Sequence, residues 1–391
     1  MKKSSLRTKI ALLSISMFFM SGISINGALP QIRDHFGMSQ SQSEILMVGI
    51  SISKIFALLL ADLIAKKIGM KKACTGGLFF IGFAGLLPFL SQQFTVILAS
   101  RLLFGVGLGL FNSLAIRYIT ALYEGRERSV LLGVRGSVEG AGVVVLTILA
   151  GLLMNISWHL SFGIFLLAWP VALFFYLNVP EIDDSQGQAV SKSAVKEKLP
   201  PGVYGIALLS VAIVINLSSI ALRFPALSME VMGEDFNASY LIAIKPVFLI
   251  VAGAVFGKLK HRFGRNIFYY GILSLVLANV LVMGAGGSLW LLAIGSGISQ
   301  ICTAWSVPFI VEELSDMTTE NNFKLAMSIF LIGTNIGNFL SPMAMGLFHT
   351  LLRREDFSTP FYAYSVISTL ILLGVVLKDK ITLKKEQKAT V

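Results

Sequence analysis

Apolar positions along the 391 residues come in blocks of about 20, separated by short polar joints. Twelve blocks can be drawn, near 10–31, 44–65, 73–92, 95–119, 130–153, 158–178, 204–226, 238–258, 267–286, 289–311, 325–349 and 359–377. A helix of ~20 apolar residues, rising 1.5 Å per residue, crosses the hydrocarbon core of a bilayer. The pattern therefore predicts an all-α membrane protein with twelve transmembrane helices. The first block follows Lys2, Lys3, Arg7 and Lys9, the flank expected of a signal peptide. It runs on to Pro30 without a small-residue cleavage site, so it reads as the first span.

Composition agrees with this reading. The chain is 55% hydrophobic and 14% charged, against about a quarter charged in a soluble domain. With the N-terminus inside, the tails and even-numbered joints hold 23 of the 32 basic residues. The outer joints hold only Arg33, Arg353 and Arg354. This asymmetry predicts a multi-pass protein of the cell membrane with both termini cytoplasmic. The net charge of +11 then records topology, with anionic lipid as its partner, and nucleic acid is not needed to explain it. Cys74 and Cys302 lie at or in spans, and the four histidines lack metal-ligand spacing. GAVFGKL (253–259) is the nearest approach to a phosphate loop, but it lacks the first glycine and has Leu259 in the magnesium-ligand place. No cofactor is expected, and ATP hydrolysis is not.

The joint after the second block reads ADLIAKKIGMKKA (61–73), and that after the eighth reads FGKLKHRFGRNIF (256–268). Aligning Gly69 with Gly264 gives an offset of 195 residues, half the chain. Between the halves lies a polar stretch ending in Pro200-Pro201-Gly202. The expected organisation is thus a six-helix bundle over 1–180, a cytoplasmic linker over 181–202 and a second bundle over 203–391. Duplication of this kind is common in secondary transporters, whose substrate site lies between the halves near the midplane.

The two joints resemble the loop signature of the major facilitator superfamily, roughly G-x-L-a-D-r-x-G-r-k. The second copy matches at Gly257, Leu259, Arg262, Gly264 and Arg265, and the first at Ala65, Lys67, Gly69 and Lys71. Both depart at the family's Asp, here Lys66 and His261, and Asp62 stands where Gly is usual. SRLLFGVGLGLFNS (100–113) is similar to the family's fourth-span motif through Arg101, Gly105 and Gly107. SWHLSFGIF (157–165) is similar to the opening of span six in drug exporters, while span five keeps only Gly142 and Gly151 of the antiporter motif. The resemblance implies a pseudo-symmetric twelve-helix fold and a gating role for Asp62, Lys67, Gly69, Lys71, Gly257, Arg262, Gly264 and Arg265, with charge pairing rewired through Asp62. The alternative is that these residues simply anchor the loops to the inner surface.

Six cations fall within spans: Lys54, Arg101, Arg117, Arg135, Arg223 and Lys245. Lys54 lies about 15 and 18 Å along its helix from Glu44 and Lys66, too far to snorkel easily. An intramembrane charge is a functional candidate by default. Lys245 falls one turn from Lys54 in the repeat, so each half offers one lysine from an equivalent helix. Arg101 shares a face with Asn112, which suits a cavity wall. Arg223 and Arg117 lie near span ends, where snorkelling or anchoring is expected. Arg135 and Glu139 are four apart, the spacing of an ion pair, either static or a proton carrier. Glu139 counts as the one carboxylate well inside a span.

Six cations against one acid predict a substrate carrying negative charge. Lys54, Arg101 and Lys245 are its expected anchors, with Asn112, Asn26, Asn216 and Trp305 as polar or stacking partners. Interhelical hydrogen bonding is the alternative for the amides. The expected function is proton-coupled export of a small organic anion by a monomer, through rocking of the two bundles. An uptake carrier or a non-transporting sensor on the same scaffold is the alternative. No clustered polar constellation suggests an enzyme.

Overall fold

The structure is a computed structural model that describes residues 6–182, 199–354 and 356–389. Most of the expected linker, residues 183–198, lies outside the described residues. The first span starts as α1 (Leu6–Ser14), passes through three short 3-10 turns and ends as α2 (Leu29–Phe36). The N-terminal half continues with α3 (Gln40–Ile68), α4 (Met70–Leu90), α5 (Phe94–Leu122) and α6 (Gly125–Met154). Its sixth span joins a 3-10 stretch, Trp158–Leu167, to α7 (Ala168–Asn178). The second half comprises α8 (Pro201–Met232), α9 (Ser239–Phe263), α10 (Asn266–Met283), α11 (Leu289–Met317), α12 (Glu320–Leu352) and α13 (Thr359–Ala389). Eleven stretches among the described residues are long and apolar enough to cross a membrane, and the first span, bent by 40° near residues 18–21, makes the twelfth.

Local chemistry explains the boundaries. Ser39 and Gln42 form a reciprocal capping box that starts α3, each side chain satisfying the other's backbone N–H. Gly69 ends that helix at φ +91°, and its repeat partner Gly264 ends α9 at φ +55°. A side chain is disfavoured at positive φ. The Gly-centred repeat seen in the sequence is therefore a helix-ending glycine at positive φ between the second and third spans of each half.

The glycines of α5 set how closely its neighbours approach. A Cβ built on Gly109 would stand 2.6 Å from the Lys54 carbonyl oxygen, and one on Gly105 would stand 2.4 Å from that of Ile50. One on Gly107 would stand 2.5 Å from the carbonyl oxygen of Gly77 in α4. Alternate glycines thus seat α5 against α3 and α4 at backbone contact. Lys54 lies on the α3 segment that this contact holds.

The two halves meet at the end remote from the termini. There Asn237 donates to the Gly151 carbonyl at 2.9 Å and to Asn155 at 2.8 Å, and Asn155 donates to Tyr240 at 3.2 Å. A Cβ on Gly27 would collide with Ser239, so the first span also presses on α9 here. At the terminal end, the ion pairs among the described residues stay within one half. Asp62–Arg117 joins α3 to α5, Lys260–Glu312 joins α9 to α11, and Arg265 reaches Glu313 and Asp379. The remote end is closed by contacts between the halves.

Candidate substrate site and gates

Four spans of the N-terminal half bring a charged cluster together. Arg135 Nη2 lies 2.7 Å from Glu139 Oε1, an ion pair one turn apart on α6. The same guanidinium reaches Asn112 Oδ1 of α5 at 3.5 Å. Phe19, at the break in the first span, presents its ring to both Arg135 and Lys54, with centroid distances of 5.0 Å to Cζ and 5.3 Å to Nζ. Lys54 also lies in the electrostatic field of Glu139. The cluster borders the second half, because a Cβ on Gly140 would stand 3.6 Å from the Ile250 side chain of α9. Lys54, Asn112, Arg135 and Glu139 are thus neighbours, as their separate positions on three helices did not reveal. Phe19 was missed, since nothing distinguishes one phenylalanine in an apolar block.

The other anchors lie elsewhere. Lys245 is 9% exposed, with Nζ 4.1 Å from the Phe224 ring centroid, and no ion pair to it occurs among the described residues. Counting back from Gly264 and Gly69, Lys245 stands one helical turn, about 6 Å, nearer the closed end than Lys54. Arg101 is fully enclosed between the Phe104 and Phe162 rings and donates to the Gly22 carbonyl at 3.2 Å. It does not join the cluster that holds Asn112.

The amides divide between packing and burial. Asn216 donates to Ser368 at 2.9 Å, tying α8 to α13, and Trp305 donates to the Ala252 carbonyl at 3.0 Å, tying α11 to α9. Asn26 is buried at the turn where the first span meets α9. Gly333 and Gly337 bring α12 against α8.

Two sequence expectations need correction. Arg223 does not snorkel: it is 1% exposed, and its Nε lies 2.6 Å from Glu44 Oε1. Glu139 is not the one interior acid, because Glu44 is fully buried, one turn into α3. Gln40 donates to the same carboxylate at 2.7 Å. As the first residue of its apolar block Glu44 looks like an edge position, yet it stands directly before ILMVGI and is buried with it near the start of α3. The pair joins the second span to the seventh, across the two halves.

At the terminal end, each repeated loop finds an acid at the end of its half's last span. Glu181 accepts from the Lys71 backbone N–H at 3.2 Å and crowds Gly69, while Lys71 Nζ lies 4.7 Å from the Tyr176 ring centroid. In the second half, Arg265 bonds Asp379 at 2.7 Å and Glu313 at 3.0 Å. Burial works against that guanidinium's charge, but Asp379 and Glu313 outweigh it and hold the proton more tightly than usual. Arg262 lies over Phe263, and a Cβ on Gly257 would meet open space. Asp62 pairs with Arg117 of α5 at 2.5 Å, close to the first repeated loop. Among the described residues, no group of three or more His, Cys, Asp or Glu could hold a metal ion.

Two sets of six spans that meet around buried charge and close at one end have the arrangement of secondary transporters, which move solutes. The chain belongs to the Major Facilitator Superfamily, whose family model matches residues 11–284 and 209–390. It is 19% identical over 341 residues to the riboflavin transporter RibZ of Clostridioides difficile (strain 630), covering 73% of this chain and 75% of that one. It is 31% identical over 193 residues to the multidrug efflux pump SdrM of Staphylococcus aureus (strain N315), covering 46% of this chain but only 38% of SdrM. Among solved structures, a point mutant of the nucleoside transporter NupG shares the fold with a TM-score of 0.78 at 12% identity, covering 95% of this chain and 99% of that one. The human organic anion transporter MFSD10 does so with a TM-score of 0.66 at 14% identity, with the same coverage.

Proposed function

We propose that the protein carries a small organic anion across the cell membrane by proton-coupled alternating access, with both termini cytoplasmic. The cluster of Lys54, Phe19, Arg135, Asn112 and Glu139 carries this reading. Lys54 and Arg135 would hold the negative group, Phe19 would pack on its organic part, and Asn112 would orient it. With that topology, closure at the remote end would shut this state to the outside, and Lys245 would belong to the path that opens outward.

Glu139 is the proton carrier in this reading, and its geometry bears on the sign of coupling. The carboxylate and an anionic substrate compete for the same two cations. Protonating Glu139 releases Arg135, so proton and anion bind together more readily than either alone. That physics favours cotransport, which an inward proton gradient would run as uptake. Export is the second reading, and the SdrM likeness over 46% of the chain supports it.

Fluxes in proteoliposomes decide between these readings. A panel of anionic, neutral and cationic solutes is presented with the pH gradient imposed in either direction. Cotransport predicts accumulation of an anion on the alkaline side, and antiport predicts accumulation on the acidic side. Glu139→Gln should abolish gradient-driven accumulation while leaving counterflow of the same anion. If Lys54→Ala and Arg135→Ala both leave anion flux unchanged, the anion site is not this cluster.

A further inference from the structure

Arg101 lies outside the substrate cluster, and its charge is uncompensated. The residue is 1% exposed, and its Nη2 donates to the Gly22 carbonyl at 3.2 Å. Nε and Nη1 are buried without a partner among the described residues. Among the described residues no carboxylate pairs with it, for Glu44 is taken by Arg223 and Glu139 by Arg135. Removing a guanidinium from water is costly unless a counter-charge and hydrogen bonds offset it. A carbonyl and two aromatic faces supply part of that offset. They leave one full positive charge and two donors unanswered.

A second observation lies on the same broken stretch of the first span. The hydroxyl of Ser24, two residues beyond Gly22, is fully buried and also without a partner among the described residues. Non-helical backbone at membrane depth needs such groups satisfied from within the protein. We propose that Arg101, with Ser24, binds a small monovalent inorganic anion of chloride size between α5 and the broken first span. Enclosure of the side chain excludes an organic solute, and a single guanidinium charge matches a single negative one. The anion would fix the break three residues from Phe19, bracing the ring that Lys54 and Arg135 share. This site is separate from the substrate cluster and does not depend on what the protein transports.

The test is thermal unfolding of the purified full-length protein at constant ionic strength, with chloride exchanged stepwise for gluconate, which is too large to enter. The melting temperature should rise with chloride and saturate, and bromide should substitute. Arg101→Gln should remove the chloride increment, whereas Lys54→Ala should keep it. Should Arg101→Gln not fold, Ser24→Ala replaces it and should raise the half-saturating chloride concentration at least several-fold. Equal melting temperatures in chloride and gluconate overturn the proposal and leave buried water as the partner. Loss of the increment in Lys54→Ala also overturns it, by placing the halide in the substrate cluster.

Discussion

Glu44 Oε1 lies 2.6 Å from Arg223 Nε, and this contact bridges the two halves of the chain at their closed end. Both side chains are enclosed, so neither ion can return to water without parting the bundles. Removing one partner of a buried pair typically costs about 3–5 kcal/mol, because the other charge is stranded. Replacing both by apolar groups of similar size is often neutral. Arg223→Met should therefore open the remote end, and Glu44→Leu combined with Arg223→Met should close it again. Maleimide labelling of Ser41→Cys reports the difference. The native thiols of Cys74 and Cys302 are buried and add little background. Equal labelling of the single and double variants would remove the pair from the gate.

Gly109 predicts a packing effect on the lysine. Its Cβ would stand 2.6 Å from the Lys54 carbonyl oxygen and 2.6 Å from Ala57 Cβ, both on α3. Overpacking of this kind costs about 1–3 kcal/mol. Gly109→Ala should lower thermal stability and displace Lys54 from Phe19, reducing anion flux. Gly257→Ala on α9 meets open space and should be neutral or stabilising by up to about 1 kcal/mol.

The repeated loops offer a contrast between two neighbouring arginines. Arg265 bonds Glu313 and Asp379 and lies over Phe309, whereas the contact shown for Arg262 is with Phe263. Arg265→Ala should destabilise the second half clearly more than Arg262→Ala, by detergent melting. Equal losses would mean that both residues act only as surface anchors.

Gly69 carries a backbone prediction. At φ +91° with Glu181 Oε1 2.8 Å from a built Cβ, Gly69→Ala should cost more than about 1 kcal/mol and loosen the cap on α4. Asp62→Asn should cost less, under about 1 kcal/mol, since its pair with Arg117 is largely exposed. Reversal of that order, measured by thermal unfolding, would show that the ion pair rather than the turn holds the loop.

Much of the architecture was legible because bilayer thickness and backbone hydrogen bonding leave few solutions. About twenty apolar residues between polar joints specify a spanning helix, and one Gly-centred joint repeated 195 residues on specifies a duplicated fold. The ion pair of Arg135 and Glu139 was equally readable, since a separation of four lies about one helical turn along the same face. Periodicity carries no information about which helix stands opposite. Glu44 and Arg223 are 179 residues apart, and no local pattern joins them. Lys54 and Lys245 looked equivalent along the chain, yet tertiary packing set one against Phe19 near Glu139 and the other over Phe224 toward the closed end. The sequence by itself determined the spans, the duplication and the excess of buried positive charge. Which charges are paired, which face a solute and which close a gate was decided by the approach of distant helices, because electrostatic contact is a property of distance in space.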